Sequence, residues 1–567
     1  MSGAAAMATA SAGARVRRTR RIWIGVLSVA LFVFVWTLRF NTLGGALGGF
    51  DDDHFVPFGY AKQVQAGDQP LRDFAGIGLQ GVWPSLTFEL SAMAQTWLGN
   101  QLRSEALLTV TGIATAAVLT FLAAVHIAPI WIAMSAAMLG AFLGTRLYNY
   151  PKVLVLGAAV LVIARYAQRA SLAGVAALAV VTVVGFLFRH DFAIYVGIGS
   201  IAVMIAAAGS IRTALAQVGR YTVIVVVLLT PSLIVVQRYA GLRSYLQDSL
   251  ISVNEESART ERRELSFVAS SGDGRRLNPW NFFDEEPNAV KWLFYVSWVL
   301  PLVAVVIAVR PSPQWRQWRP ALVALALMAF VLIPAFLRGN TAARFGDMAP
   351  VTAVLFAASL AWVFREDASR RALVGGGSAA VVLMAATVQS VWAIGGVTND
   401  LDVSGWSHSP AAIVSQSSRR WAELQQLPRA YWAGTPESPS IAAVQYLHAC
   451  TRPSDRVLVI SYQPELLPLA DRRFAGGRAS VIPGLVTDDD HQRQLIRFWE
   501  RQSVPIVLVE PAEEHAFEIP ILYTHLIERY VDSGPLPVNG GTVLHVYAER
   551  SRQPSGAFGP SALPCFQ

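Results

Sequence analysis

The sequence of 567 residues is 53% hydrophobic and only 15% charged, and its formal net charge is +8. Soluble chains carry about 25% charged residues, so a chain this apolar is expected to cross a membrane many times. The positive charge does not indicate nucleic-acid binding, because the arginines fall mostly at the ends of apolar segments, where basic residues set topology. Two cysteines without a CxxC pair exclude zinc ribbons and redox motifs.

The chain begins with a basic segment, residues 1–21, which leads into an apolar run. No small-residue cleavage site follows that run, so we interpret it as an uncleaved signal anchor. About eleven apolar segments have lengths near the roughly 20 residues that a bilayer requires. They lie at 22–40, 106–125, 128–145, 152–167, 171–188, 192–209, 221–237, 290–309, 320–337, 349–364 and 373–395. The fold predicted for 22–395 is a polytopic α-helical membrane domain.

The placement of arginine predicts the orientation of these spans. If the N-terminus is cytoplasmic, every second loop is cytoplasmic, and those loops carry the arginines, as the positive-inside rule requires. An odd number of spans then places the C-terminus outside the cytoplasm. The use of arginine in place of lysine suggests a bacterial genome, so we expect a multi-pass protein of the bacterial inner membrane. The predicted outer segments are 41–105, 146–151, 189–191, 238–289, 338–348 and the tail from 396.

The tail is predicted to contain a connector, 396–440, and an extracytoplasmic α/β domain, 441–567. Strands at 456–460, 505–509 and 542–546 alternate with helices at 441–450, 490–502 and 520–531. This alternation predicts a mostly parallel sheet. No GxGxxG follows a strand, so nucleotide binding has no support. Cys450 and Cys565 lie in this domain, and their spacing is compatible with a disulfide and with two unpaired thiols.

Three consecutive aspartates, Asp51, Asp52 and Asp53, stand about ten residues after the first apolar segment and precede His54. Carboxylates in this position lie at the membrane surface, where they can act on a substrate that a lipid carries. On their own they are also compatible with a solvated turn that caps the next helix, with Asp53 as the N-cap. A site for a divalent cation is a third alternative, because clustered Asp and His suit such ions.

The loop 41–105 resembles the first periplasmic loop of the GT-C superfamily of polytopic glycosyltransferases, which includes protein O-mannosyltransferases and the lipid A aminoarabinose transferase. That loop has an acidic pair after the first span and, downstream, a pattern like Tyr…Gly-x-x-Pro-x-x-Asp and a Gly/Pro turn. The matching residues are Asp51, Asp52, Tyr60, Gly67, Pro70, Asp73 and the segment 78–84. The third Asp and His54 depart from the pattern. The resemblance extends to the multi-span body and the C-terminal domain.

The resemblance implies an inverting transfer of a hexose or pentose from a polyprenyl-phosphate donor to a hydroxyl of a glycan, lipid or protein. A carboxylate takes the acceptor's proton, and cationic side chains stabilise the leaving phosphate. We expect Asp51 as general base and Asp52 as its partner or substitute. The expected substrate contacts are Asp53, His54, Tyr60, Asp73 and Asp191. The expected phosphate ligands are Arg146, Lys152, Arg189, His190, Arg338 and Arg344. No cofactor is assigned, and a divalent cation stays the alternative.

Two other functions are open on the sequence. Charges between apolar segments can line a transport path, which favours a transporter or flippase. Transporters, however, often show internal repeats and matched broken helices, and the sequence shows neither. A non-catalytic scaffold for envelope assembly is the remaining alternative.

Overall fold

A computed structural model describes residues 2–567 except 75–76, 79–80, 83–84, 248–285, 311–312, 338–341, 365–369, 512–514 and 560–561. Most of the predicted loop 238–289 therefore lies outside the described residues. The first two thirds of the chain form a helical bundle. Its helices are α1 Ser2–Asn41, α2 Asp52–Gln65, α3 Leu86–Leu98, α4 Leu102–Ile127, α5 Ile130–Phe142, α6 Tyr150–Gln168, α7 Leu172–Phe188, α8 His190–Ala207, α9 Ile211–Tyr239, α10 Glu286–Val309, α11 Pro313–Arg316, α12 Arg319–Leu332, α13 Phe345–Val363, α14 Arg370–Ile394 and α15 Val397–Val403.

The bundle matches the predicted membrane domain. Among the described residues, seven helices are long and apolar enough to cross a membrane, and a bent pair formed by Ala380–Ile394 and Val397–Val403 makes eight. Three shorter apolar helices, Ile130–Phe142, Leu172–Phe188 and Arg319–Ala335, complete the set. Each of the eleven predicted segments overlaps one of these helices. The prediction of a polytopic α-helical protein with a C-terminal β-containing domain is confirmed.

The acidic residues begin a helix inside the loop 41–105. Asp51 has extended backbone angles (φ −67°, ψ 153°) and is the N-cap, and α2 starts at Asp52. The expectation that Asp53 is the N-cap is therefore wrong, because Asp53 already has helical geometry. Asp52 and Asp53 lie in the first turn, where a negative charge is favoured by the helix dipole. A short hairpin, β1 Ile77–Gly78 and β2 Gly81–Val82, separates α2 from α3.

The C-terminal domain contains one five-stranded sheet. Its strands are β3 Arg456–Ile460, β4 Arg473–Phe474, β5 Ile506–Val509, β6 Tyr530–Pro537 and β7 Val543–Glu549, and a separate hairpin follows, β8 Gly556–Phe558 and β9 Leu563–Cys565. The helices of this part are α16 Pro410–Gln426, α17 Pro439–Cys450, α18 Leu466–Leu469, α19 Asp489–Trp499, α20 His515–Glu518 and α21 Pro520–Arg529.

The sheet is mixed, so the prediction of a mostly parallel sheet is wrong. In the strand order β4-β3-β5-β7-β6, β3 is parallel to both neighbours, whereas β7 is antiparallel to β5 and to β6. The sequence analysis missed β6 because it contains Pro535 and Pro537. Prolines are tolerated there because β6 is an edge strand, where one row of backbone N–H groups has no partner strand.

The two faces of the sheet belong to different hydrophobic cores. One face packs on α19 and α21 through side chains such as Leu458 and Val507. The other face, with Val459 and Leu508, joins one core with Phe55 and Phe58 of α2. The loop after the first span and the C-terminal sheet are thus a single packed unit.

Polar contacts secure this unit at its edge. Arg456 of β3 is buried and donates to Gln63 Oε1 (2.8 Å) and to Asp68 Oδ2 (2.6 Å). Gln63 in turn donates to the carbonyl oxygen of Phe474 (3.1 Å). Cys450 at the end of α17 forms a disulfide with Cys565 in β9.

We expect Arg456→Ala to lower the free energy of unfolding by up to about 3–5 kcal/mol, because it removes the buried partner of both Gln63 and Asp68 and leaves Asp68 with only the more distant Arg473. Arg493→Ala is the matched control, since Arg493 pairs with Asp489 and Asp490 on an exposed helix face, and it should cost less than about 1 kcal/mol. Thermal unfolding in detergent measures the loss of stability in both variants. Equal losses would contradict the assignment of Arg456 as the contact between loop and sheet.

Candidate active site

We call Asp51, Asp52 and Asp53 the acidic cluster. Asp53 is held on both oxygens of its carboxylate. Tyr148 donates to its Oδ2 at 2.8 Å, Arg146 Nη1 lies 3.2 Å from the same oxygen, and the hydroxyl of Tyr462 donates to Oδ1. Asp53 therefore joins three parts of the chain, and its hydrogen-bonding capacity is largely taken up by protein groups.

Asp51 and Asp52 differ from Asp53 in this respect. Among the described residues, neither carboxylate has a hydrogen-bond or ion-pair partner. Desolvation raises the pKa of Asp52, and the neighbouring charges of Asp53 and Asp51 raise it further. A carboxylate with a raised pKa and no bound partner is a better proton acceptor than one that is fully hydrogen-bonded.

His54 points away from the acidic cluster into the protein. Its Nε2 lies 3.3 Å from Glu105 Oε2, and both side chains are buried. Glu105 also accepts hydrogen bonds from Ser91 and, at 2.9 Å, from Gln95 Nε2. His54 thus connects α2, α3 and α4, and this geometry does not present its ring to a substrate.

Tyr60 and Asp73, which match the family pattern, also hold the loop together. The Tyr60 ring is buried against Phe74 (5.4 Å between centroids), Phe88 (5.4 Å) and Phe474 (4.9 Å). Burial raises the pKa of Tyr60 to about 12. Asp73 Oδ2 accepts from the backbone N–H of Gln69 (2.8 Å) within a local turn. The structure does not bring either residue to the acidic cluster.

A cleft of about 410 Å³ lies beside the acidic cluster, and we call it the basic cleft. Tyr148 lines the basic cleft, and its hydroxyl donates to Asp53 of the acidic cluster. The side chain of Tyr148 therefore contacts both the cleft and the cluster. Lys152 and Arg189 supply the positive charge of the cleft. Its walls are completed by Pro57, Thr87, Asn149, Pro151, Phe188 and Phe192.

Lys152 is buried and paired. Its Nζ lies 2.9 Å from Asp347 Oδ2, and Asp347 also accepts from Thr145 (2.6 Å) and Asn149 (3.3 Å). The ammonium is within electrostatic range of Arg189 and Arg344. Lys152, Arg189 and Arg344, three predicted phosphate ligands from three segments, therefore lie in one region. Asp347 is the carboxylate that pairs with Lys152.

The remaining predicted residues are placed as follows. Arg189 Nε pairs with Asp191 Oδ1 at 2.9 Å, which orients the guanidinium at the start of α8. His190 Nε2 lies 2.7 Å from the hydroxyl of Tyr245, so its ring binds the segment after α9. Arg344 ends a short helical turn before α13. Arg338 lies outside the described residues.

Two residues near the acidic cluster were not found from the sequence, Tyr462 and Glu465. Both follow β3, at the carboxyl end of a parallel strand pair, where open α/β sheets bind ligands. Burial and the Asp53 carboxylate raise the pKa of Tyr462 well above its usual value, so its hydroxyl keeps its proton and donates. Their position after a strand was visible in the sequence, but the contact of Tyr462 with Asp53, 409 positions earlier, was not.

A divalent cation is the one cofactor that the sequence leaves open. In the described part of the chain, no group of three or more His, Cys, Asp or Glu side chains is arranged to hold a metal ion. The carboxylate of Asp53 is bound to Arg146 and two tyrosines instead. We derive no step through a cation.

The chain was compared with protein families, curated proteins and solved structures. No protein-family model and no curated protein matches the sequence. Among solved structures, ArnT from Cupriavidus metallidurans bound to undecaprenyl phosphate is 13% identical, with a TM-score of 0.47 over 92% of this chain and 97% of that chain. The oligosaccharyltransferase AglB from Archaeoglobus fulgidus, in complex with an inhibitory peptide and a dolichol-phosphate, is 12% identical, with a TM-score of 0.42 over 94% and 75%. Both belong to the GT-C superfamily.

We expect Asp347→Asn to lower the free energy of unfolding by about 3–5 kcal/mol, because it leaves the Lys152 ammonium buried without its carboxylate. Adding Lys152→Met should recover part of this loss, since the double variant contains no unpaired charge. Thermal unfolding of the two single variants and the double variant in detergent measures the coupling. Additive losses would contradict a direct ion pair.

Proposed function

We propose that this protein is an inverting glycosyltransferase that moves a sugar from a polyprenyl-phosphate donor to an acceptor hydroxyl. One observation supports this most directly: Tyr148 connects a basic cleft to an acidic cluster in which Asp51 and Asp52 have no partner among the described residues. Transfer from a sugar phosphate needs this pair of features, a proton acceptor on one side of the sugar and cations for the leaving phosphate on the other.

The reaction is a single displacement. The acceptor oxygen attacks the anomeric carbon as its proton passes to a carboxylate of the acidic cluster. The bond between the anomeric carbon and the phosphate oxygen breaks, and the electron pair leaves with the polyprenyl phosphate. Attack opposite the leaving group inverts the anomeric configuration.

We assign the role of base to Asp52, with Asp51 as its partner. The sequence favoured Asp51, because the resemblance matches the first acidic residue of the pair. Desolvation and two acidic neighbours raise the pKa of Asp52, which favours Asp52 as the proton acceptor. Asp53 is the least suitable of the three, because Arg146, Tyr148 and Tyr462 bind its carboxylate.

The donor phosphate would bind at Arg189 and Lys152, with Arg344 nearby. Arg189 presents a planar guanidinium, which suits two oxygens of a phosphate. Both cations are paired in the described structure, Lys152 with Asp347 and Arg189 with Asp191, so the donor phosphate would bind in competition with these two carboxylates. Arg146 is bound to Asp53 and would act on the sugar side of the site.

Apolar cavities in the bundle suit the lipid tail of such a donor. One cavity of about 360 Å³ is lined by Thr145, Val153 and Gly346, next to the Lys152–Asp347 pair. It shares Gly140 with a second cavity of about 480 Å³. A larger groove of about 1450 Å³ between α5, α13 and α14 adjoins that second cavity at Leu139.

The location follows from the same proposal. We place the protein in a bacterial inner membrane with the N-terminus in the cytoplasm and the C-terminal domain outside. The predicted outer loops support this, because Asp53, Arg146, Arg189 and Asp347 meet at one end of the bundle. The acceptor would be a glycan, lipid or protein of the cell envelope.

We expect purified protein in detergent to transfer label from at least one of a panel of polyprenyl-phosphate sugars to acceptors in a membrane extract. Asp52→Asn should reduce this rate by about 10²–10⁴-fold, because it removes the general base. Asp51→Asn should have a smaller effect. The rate of labelled product formation is measured for the wild type and for both variants.

Asp489→Asn is the matched control for this experiment. Asp488, Asp489 and Asp490 also begin a helix, with Asp488 as N-cap, but they lie apart from the basic cleft. The control should leave transfer unchanged. If the wild type consumes no donor, or if Asp51→Asn and Asp52→Asn both match it, the catalytic proposal is wrong, and a transporter or a scaffold becomes the better explanation.

We expect Arg189→Gln to raise the KM for the donor by roughly tenfold or more, because a charge-assisted hydrogen bond to phosphate is worth about 1.5–3 kcal/mol. Arg72→Gln is the control, since Arg72 also pairs with a nearby aspartate, Asp73, but does not line the basic cleft. Initial rates at varied donor concentration separate KM from kcat. An equal KM in the two variants would exclude Arg189 as the phosphate ligand.

A further inference from the structure

Glu465 is a buried carboxyl group that the proposed reaction does not yet use. It is 3% exposed, and it begins the short helix α18 directly after the segment that carries Tyr462. Its Oε2 is enclosed by protein and has no hydrogen-bond partner among the described residues. A buried polar atom without a partner costs about 1–3 kcal/mol, so its presence calls for an explanation.

The geometry brings this carboxyl to the acidic cluster. Tyr462, three residues before Glu465, donates to Asp53 and so fixes the loop after β3 against the start of α2. The helix α18 itself packs on α2, α17 and β4. Glu465 thus reaches the cluster from the C-terminal domain, and Asp52 is close enough to act on it electrostatically.

Burial outweighs the groups that favour a negative charge on Glu465, which are hydrogen bonds from its own backbone and from Ser440. The titratable groups on the elements packed against α18 are Asp51, Asp52, Asp53, His54, Tyr60 and Lys62 at or on α2, Tyr446 and His448 on α17, and Arg473 on β4. Lys62 is paired with Asp471 and Arg473 lies near Asp68. Of these charged groups, only Asp52 perturbs Glu465, and it does so unfavourably.

Glu465 is therefore neutral over part of the physiological range. Burial raises the pKa of Glu465 to about 7, and the Asp52 charge adds to the effect. Below that pH the carboxyl is protonated and adds no charge. Above it, a further negative charge stands beside three aspartates.

We propose that Glu465 tunes the binding of the anionic donor beside the acidic cluster: the neutral carboxyl adds no charge there, and its ionisation adds a negative charge that repels the donor phosphate. The inference rests on the proposed function, because it concerns the binding of a phosphate-linked sugar. It assigns the C-terminal domain a direct part in donor binding.

The test is the pH dependence of the donor KM for wild type and Glu465→Gln. The wild-type KM should rise several-fold from about pH 6 to about pH 8, as Glu465 ionises. The Gln variant, which stays neutral, should show a flat KM over this range with a similar kcat. Glu510→Gln is the matched control, because Glu510 lies at the same sheet edge and binds Ser461 at 2.7 Å. It should retain the wild-type profile.

Stability provides a second readout that does not depend on transfer. A glutamate has a pKa near 4.5 in the unfolded chain and one of about 7 in the folded protein. The folded state therefore binds the proton more tightly, and the stability that this provides is full below about pH 4.5 and is lost as the pH rises through about 7. The thermal midpoint of Glu465→Gln should fall less over this window than that of the wild type.

The outcomes separate the two proposals. If the thermal midpoints of wild type and Glu465→Gln change in parallel with pH, or if both proteins transfer sugar with the same dependence of KM on pH, the role of Glu465 is wrong. The proposal of a glycosyltransferase would not be affected. A wild type that transfers no sugar would overturn the proposed function and this inference together. A flat KM and a flattened stability curve in the variant support the inference.

Discussion

The position of the acidic cluster depends on the packing of α2 against the C-terminal sheet. Phe55 and Phe58 of α2 lie in one hydrophobic core with Val459 and Leu508 of the sheet. Burial of large side chains gives about 1.5–3 kcal/mol each, which holds the loop on the sheet. Arg456 then fixes the register of the contact. Because α2 cannot rotate within this core, the directions of its first-turn aspartates are set.

Helical geometry explains why three adjacent carboxylates differ. Successive residues on a helix point about 100° apart, so Asp51, Asp52 and Asp53 cannot meet the same surroundings. Asp53 faces Tyr148 and Tyr462 and is bound by both. The other two face open space beside the basic cleft. The third aspartate, which departs from the family pattern, thus supports the loop against the C-terminal domain.

The sequence predicted the elements better than their contacts. All eleven apolar segments became helices, and the strand at Arg456–Ile460 was predicted with its observed ends, because hydropathy and periodicity are local properties. The edge strand β6 was missed because its prolines imitate a loop. Tyr60 fits the motif by spacing and His54 follows the aspartates directly, yet both are buried, since spacing does not show which way a side chain points. Tyr462 and Glu465 carry no motif, and only the fold brings them to the acidic cluster.

The contact between Asp53 and Tyr462 spans 409 positions, and this separation has a consequence for biogenesis. A ribosome makes the aspartates early and the tyrosine late, with nearly all membrane segments in between. During that interval α2 has no sheet to pack on, and Phe55 and Phe58 lack the core that buries them in the finished protein. Asp53 is then without the hydroxyl of Tyr462, and the arrangement of the acidic cluster described here forms only when the last strands have been made.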